Sequence, residues 1–276
     1  LNNCNDRNPD FINTFPTPDK VADGTFTPPA GAALQNCFQD GEASLAVRKE
    51  LAQGPVFVSS LGYTLAYNTL DNNKNPTNGL LLEFKQDGAG AGGDVNFLKS
   101  TIDARLYNEI FPDVVGLFRA QGGYATGWGG QSLRMLDHFQ GGPNMVRGFA
   151  PAGFGPRDLT QIPFGFNQAD ALGGSLYWAT TVEFQTPMFF APKDFGMKFA
   201  VFADAGQLMN YVGPTSWAVT NETLTPSGNG NIRSSVGVGL IWDSPFGPLR
   251  FDLAYALTKE PYDHTQIFRF GGGTRF

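Results

Sequence analysis

The side chains that could perform catalysis are few in this chain. The two histidines, His138 and His264, belong to no Ser-His-Asp arrangement and to no HExxH pattern of a metal-binding helix. Residues 88–93 fit the dinucleotide pattern G-x-G-x-x-G, which has to open a helix after a strand. Residues 95–108 instead alternate in steps of two, which is typical of a second strand. We interpret the glycines as a hairpin loop and expect no enzymatic activity, no cofactor and no metal site.

Covalent chemistry is possible at the two cysteines, Cys4 and Cys37. They flank a segment rich in proline, asparagine and glycine that has neither a helix nor a strand period. A disulfide there would stabilise the fold by about 3–4 kcal/mol and would require an oxidising compartment. We expect the disulfide, and two unpaired thiols are the alternative.

Composition indicates the class of element that carries these residues. The chain has 276 residues, of which 41% are hydrophobic and 16% charged, with 35 glycines, 25 phenylalanines and 8 tyrosines. Aromatic-rich runs separated by glycine are typical of all-β proteins. The net charge of −6 argues against a nucleic-acid-binding protein, because phosphate neutralisation needs clustered lysine and arginine.

The periodicity changes along the chain. Residues 1–54 are predicted to form a long loop that carries a short helix after Asp40, and Gly54 ends that helix. From residue 55 onward, nine runs alternate with period two, and each has one apolar face. Fifteen charged residues fall on the opposite face of these runs: Glu83, Lys85, Lys99, Asp103, Arg105, Arg119, Glu183, Lys198, Asp204, Arg233, Asp243, Arg250, Asp252, Arg269 and Arg275.

This alternation fits two kinds of all-β protein. A soluble sandwich buries its apolar faces against one another, whereas a transmembrane antiparallel β-barrel turns them toward lipid and keeps a polar lumen. The connections favour the barrel, because short turns such as residues 71–78 alternate with long loops at residues 129–173 and 207–231. A soluble all-β fold remains the alternative.

The loop at residues 129–173 contains a recognisable motif. Its Val146-Arg147-Gly148-Phe149 sequence resembles the signature of the family of outer-membrane protein assembly and translocation barrels. Further similar stretches follow in the same order: Val182–Phe184, Phe202–Gly206, Gly237–Phe251 and the terminal Phe276.

This resemblance implies a sixteen-stranded barrel preceded by periplasmic POTRA domains. The chain matches the last nine strands, with residues 1–54 as an extracellular loop and residues 55–276 as the barrel strands. It has no POTRA domains, so we expect it to be part of a longer protein. The resemblance also implies that the loop at residues 129–173 folds back into the lumen.

The resemblance implies roles for particular residues. Arg147 should bind the lumen residues Glu183 and Asp204, and a solvated Arg147 is the alternative. The final strand, with Gly271, Gly272, Gly273 and the terminal Phe276, should form the movable side of a lateral gate, because adjacent glycines weaken a strand. A poorly formed chain end, or a close approach by the loop, would also explain the glycines.

The function implied by the resemblance is insertion and folding of β-barrel proteins in the outer membrane of a Gram-negative bacterium. The expected partners are outer-membrane lipids, unfolded outer-membrane proteins and, through the POTRA domains, accessory lipoproteins. Two alternatives are a two-partner-type secretion pore, which shares the loop motif, and a passive porin.

Overall fold

The structure is a computed structural model and describes residues 44, 46–47, 50, 54–159, 169–189, 195–217, 222–227, 230–244 and 247–272. The strands in this part of the chain are β1 (Ser60–Asn68), β2 (Gly79–Ala89), β3 (Phe97–Phe111), β4 (Val114–Gly127), β5 (Leu176–Pro187), β6 (Met197–Met209), β7 (Ser216–Trp217), β8 (Glu222–Thr223), β9 (Arg233–Ser244), β10 (Gly247–Thr258) and β11 (Phe268–Gly272). A 3-10 helix spans Met135–Asp137.

The chain divides into two compact units. The first comprises Leu1–Val56, Asp158–Asp170 and Pro214–Thr225, and it contains the β7–β8 ribbon. Ala46, Val47 and Glu50 in this unit have helical backbone, where the sequence predicts a short helix. No helix within the described residues is long and apolar enough to cross a membrane.

The second unit contains a nine-stranded antiparallel sheet in the order β1-β2-β3-β4-β5-β6-β9-β10-β11. Strands that are neighbours in sequence are therefore neighbours in space, apart from the β6–β9 pair that bypasses the ribbon. Residues 90–96 join the antiparallel strands β2 and β3, so the glycines lie in a hairpin as predicted, although Gly88 and Ala89 still belong to β2. The predicted all-β fold with nine antiparallel strands is confirmed.

The two faces of this sheet have opposite chemistry. Large apolar side chains are exposed on one face, including Leu61 at 83% and Leu65 at 62%. The cross-strand register places fourteen of the fifteen predicted charges on the other face, and the fifteenth, Arg275, lies outside the described residues. Glu183 and Asp204 on that face are only 1% and 3% exposed. This inversion is typical of strands with lipid on one side and a polar lumen on the other.

The first strand begins later than the sequence predicts, at Ser60 rather than near residue 55. Phe57 donates its backbone N–H to the Asp94 Oδ2 atom at 2.9 Å, and the Asp94 N–H donates back to the Phe57 carbonyl at 2.8 Å. A side-chain carboxylate thus replaces a strand partner at this point. Alternating hydrophobicity alone does not reveal such a replacement.

The turn between β1 and β2 reaches across the inner face. Asp71 orders the turn by accepting hydrogen bonds from Thr77 and Asn78, and these bonds lower its pKa to about 2. Asn75 then donates to Asp243 at 2.7 Å and accepts from the Lys198 Nζ atom at 3.1 Å. These contacts join the first hairpin to β6 and β9.

Candidate functional site

The connection between β4 and β5 returns along the inner face of the sheet. We call residues 141–154 of this connection the re-entrant loop. Gly141 and Phe154 form a bridge at its base, and the N–H groups of Met145 and Val146 donate to the Gly142 carbonyl to form a turn at its tip. Val146 and Phe149 are completely buried, so the loop is packed against the sheet.

Arg147 binds two carboxylates of the inner face. Its Nε and Nη2 atoms donate to the two oxygens of Asp204, both at 2.7 Å, and its backbone N–H donates to the same side chain at 3.0 Å. Its Nη1 atom donates to Glu183 at 2.7 Å. The guanidinium also lies 3.4 Å from the ring centre of Phe202. The structure therefore brings together the arginine and both carboxylates that the resemblance implied.

A second arginine shares these carboxylates. Arg250 on β10 donates to both oxygens of Glu183, at 3.0 and 2.7 Å, and through its Nε atom to Asp252 at 2.9 Å. We call Arg147, Arg250, Glu183, Asp204 and Asp252 the charge network. Each of these residues is less than a tenth exposed.

The electrostatics of Arg147 follow from its surroundings. Burial alone disfavours its charge and lowers its pKa. The hydrogen bonds and negative charges of Asp204 and Glu183 outweigh burial, and the pKa of Arg147 lies above its ordinary value. The guanidinium therefore stays charged, and its planar fork matches the two oxygens of a carboxylate.

Gly148 and Phe149 fit tightly against the last two hairpins. Gly148 has a φ of +90°, and an added Cβ would lie 3.4 Å from the Ala254 Cβ and 3.5 Å from the Ser235 Cβ. Phe149 packs edge-on against Phe154 with ring centres 5.1 Å apart, and it forms a bridge with Thr265. Glycine adopts this backbone angle without the strain that a Cβ would bring.

The predicted gate residues are described in part. Gly271 pairs with Arg250 and Gly272 pairs with Leu249, so the ladder between β10 and β11 continues through both glycines. Both glycines also line a polar cavity beside the charge network. Gly273, Phe276, Cys4 and Cys37 lie outside the described residues, so the chain end and the disulfide stay predictions.

Three charged residues of the site were placed on the inner face by the sequence without a partner, and Phe202 was not assigned to a face. Arg250 and Asp252 complete the charge network, Phe202 supports Arg147, and Arg269 contacts the loop. For the charged residues, the signal available in the sequence was their position on the face opposite the apolar side chains of each strand. Which inner-face residues meet depends on sheet curvature, and alternation does not encode curvature.

The histidines do not form a catalytic centre. His138 is buried, with its Nδ1 atom 3.2 Å from the Leu172 carbonyl, and burial lowers its pKa to about 4. It is therefore neutral near pH 7. His264 contributes its backbone to pairing with the re-entrant loop. Among the described residues, no cluster of histidine, cysteine and carboxylate side chains could hold a metal ion.

Comparison with known proteins agrees with this geometry. The Omp85 superfamily domain matches residues 17–276. The outer membrane protein assembly factor BamA of Neorickettsia risticii is 36% identical over 234 residues, which are 84% of this chain and 29% of that protein. The sorting and assembly machinery component 50 homolog B of Xenopus laevis is 35% identical over 244 residues, which are 85% of this chain and 48% of that protein.

A solved structure shares the fold. The crystal structure of BamA from Haemophilus ducreyi lacking POTRA domains 1–3 superposes with a TM-score of 0.64 at 23% identity, over 76% of this chain and 41% of that one. The chain thus spans less than a third of the Neorickettsia protein. The predicted location in a bacterial outer membrane is confirmed by these relationships. On the evidence of its strands, its motif and its relatives, the chain belongs to the Omp85 superfamily.

Proposed function

We propose that the chain is the carboxyl-terminal part of a factor that inserts and folds β-barrel proteins in the outer membrane, and that substrates enter through a lateral gate beside β11. Two kinds of relative support this proposal by name, one an outer membrane protein assembly factor and the other a sorting and assembly machinery component. The proposed activity rearranges hydrogen bonds and apolar contacts and includes no catalytic step.

The observation that carries the gate is the short pairing of β11. Among the described residues its register pairs with β10 run from Leu249 opposite Gly272 to Leu253 opposite Phe268, and one further hydrogen bond joins the Ala254 N–H to the Ile267 carbonyl at 2.9 Å. β10 itself continues to Thr258, where it pairs with β9 alone. A strand held by few ladder bonds separates at lower cost than its neighbours, and its edge can accept an incoming strand by β-augmentation.

The position of the re-entrant loop favours a lateral route over a route through the lumen. Arg147 holds the loop tip against the inner wall by four charge-assisted hydrogen bonds. A soluble chain passing through the lumen, as in a secretion pore, would have to displace a buried ion-pair network. Breaking such a network by removing one partner costs about 3–5 kcal/mol.

The partners of the proposed activity follow from the two faces. Outer-membrane lipids contact the exposed apolar face, and unfolded outer-membrane proteins supply the strand that pairs at the gate. Accessory lipoproteins would bind POTRA domains in the longer protein.

A reversible lock of the gate tests the proposal. In the full-length protein, Gly272→Cys is cross-linked to a cysteine on the first strand of the barrel. The position accepts a side chain, because an added Cβ would lie 3.5 Å from the nearest atom, the Leu249 Cδ2. We expect the oxidised protein to stop inserting a barrel substrate into vesicles and the reduced protein to resume.

A matched lock elsewhere in the wall is the control. Val238 and Leu253 are register partners on β9 and β10, and both face outward. A disulfide between cysteines at these two positions should leave insertion unchanged. Normal insertion while Gly272→Cys is cross-linked to the first strand would refute the lateral gate. Steady conductance without insertion would indicate a porin.

A further inference from the structure

Arg269 contacts the tip of the re-entrant loop from the last strand. It lies on the inner face of β11, where its Nη1 atom donates to the Pro143 carbonyl at 2.8 Å and its Nη2 atom donates to the Asn144 Oδ1 atom at 2.7 Å. The side chain is partly buried and lines the same polar cavity as the charge network. The guanidinium thus spans two consecutive loop residues.

The loop tip is held from the opposite side as well. Gln121 on β4 donates its Nε2 atom to the Asn144 carbonyl at 2.8 Å. Asn144 is therefore bonded to β4 through its backbone and to β11 through its side chain. Its position depends on both strands.

A second set of contacts joins the loop to the residues that lead into β11. Gln266 N–H donates to the Gly148 carbonyl at 2.9 Å, and Ala150 N–H donates to the His264 carbonyl at 2.9 Å. Residues 264–266 therefore pair with the re-entrant loop instead of extending the β10–β11 ladder. This pairing accounts for the end of the β10–β11 pairing at Ile267, whose carbonyl still accepts from the Ala254 N–H.

A buried ion pair fixes that segment. Asp263 accepts from the Arg233 Nε atom at 2.8 Å, and the two side chains are 0% and 2% exposed. Asp263 also accepts from the Glu260 N–H at 2.8 Å. The residues before β11 are thus anchored to β9, while β11 itself is bonded to the loop through Arg269.

The hold of Arg269 differs in strength from that of Arg147. In the part of the chain that the structure describes, the hydrogen-bond acceptors of Arg269 are neutral oxygens, whereas Arg147 and Arg250 each bind carboxylates. The guanidinium makes both kinds of hydrogen bond charge-assisted, but only the bonds of Arg147 and Arg250 add the attraction of an opposite charge. The contact with β11 is therefore the one that breaks first when the loop is pulled away from the wall.

We propose that Arg269 is a positioning residue that couples the re-entrant loop to the last strand, so that β11 leaves its place only when the Pro143-Asn144 tip is released. The coupling is a property of the fold. Its consequence for substrate entry, a gate whose opening includes release of the loop tip, rests on the proposed function.

Hydrogen exchange in the full-length protein in lipid nanodiscs tests the coupling, because local opening sets the exchange rate. We expect Arg269→Gln to speed exchange about tenfold both in residues 141–150 and in Phe268–Gly272, which is the loss of roughly 1.4 kcal/mol. Arg269→Lys should fall between, since its single amine does not span both acceptors. Asn144→Ala combined with Arg269→Gln should add little to Arg269→Gln alone.

Two further variants separate coupling from a general loss of stability. Arg105 is an inner-face arginine bonded to Asp103 within the wall, so Arg105→Gln should leave both segments unchanged. The hydrogen bonds of Arg147 within the described residues run to β5 and β6, yet Arg147→Ala should also speed exchange in β11 if the loop transmits the change.

The outcomes distinguish this inference from the proposed function. Faster exchange in only one of the two segments, or in neither, overturns the coupling whatever the insertion assay shows. Normal insertion by the protein cross-linked at position 272 overturns the lateral gate, but it does not affect the coupling that hydrogen exchange measures.

Discussion

Glu183 and Asp204 differ in how much they depend on Arg147. Glu183 also accepts two hydrogen bonds from Arg250, so it keeps a cation when the loop arginine is removed. The hydrogen bonds found for the Asp204 carboxylate within the described residues all come from Arg147, through its backbone, its Nε and its Nη2 atom. Loss of Arg147 therefore leaves one buried carboxylate without a partner, not two.

We expect Arg147→Ala to lower the free energy of unfolding by about 3–5 kcal/mol, because it leaves the buried charge of Asp204 uncompensated. A denaturant titration in lipid vesicles would measure this loss. Adding Asp204→Asn to Arg147→Ala should recover part of it, since the amide carries no charge. A double variant as unstable as the single one would contradict the assignment of the cost to Asp204.

The backbone at Gly148 gives a second prediction. Gly148→Ala should destabilise the protein by about 1–3 kcal/mol, because alanine at positive φ is strained and its Cβ would be in contact with the buried side chains of Ala254 and Ser235. Gly92→Ala is the matched control: its φ is +85°, but an added Cβ meets nothing within 4 Å. Equal losses of unfolding free energy in the two variants would show that backbone strain alone matters.

At the level of strands, the sequence was sufficient to predict which residues face which side. Side-chain direction in a strand has period two and needs no knowledge of pairing, so the charges could be placed on one face. It was insufficient to show that Arg250 shares Glu183 with Arg147. β5 and β10 are separated in the sheet by β6 and β9, and their side chains meet only across its curved inner face.

The first strand boundary and the pairing of residues 264–266 with the loop could not be predicted for a different reason. Asp94 takes the place of a strand partner for Phe57, and residues 264–266 pair with a loop instead of a strand. Both depend on a few hydrogen bonds between segments that are distant in the sequence. Periodicity within one segment carries no information about them.

The sidedness of the strands gives a third prediction. Val201→Arg on β6 should cost about 2–4 kcal/mol of unfolding free energy in lipid vesicles, because Val201 is 40% exposed on the apolar face. Gln185→Arg on β5 places the same side chain on the polar inner face and should cost less. Refolding yield and denaturant midpoint in vesicles would measure both, and equal costs would contradict the assignment of faces.

At the scale of the whole molecule, the outer edge of β1 determines whether the sheet is stable in lipid. All nine of its residues are exposed, and among the described residues only β2 pairs with it. An unsatisfied backbone group in the hydrocarbon region costs several kcal/mol, so an open edge is not stable there. We expect a further strand of the longer protein to pair with β1.

Hydrogen exchange on the full-length protein in lipid measures this pairing. The amides of Ser60–Asn68 should be as strongly protected as those of β3, which has a strand on each side. Fast exchange at every second residue of β1 would mean that its outer edge is unpaired.

The re-entrant loop also makes contacts between residues that are far apart in the sequence. Most strand pairs join sequence neighbours and can close as hairpins, but Arg147 precedes Glu183 by 36 residues and Asp204 by 57. Pro143 precedes Arg269 by 126 residues. The entropic cost of closing the 126-residue connection exceeds that of the 36-residue connection by only about 1 kcal/mol. Because β11 is the last of these strands in sequence, its contact with Pro143 closes the longest of these three connections.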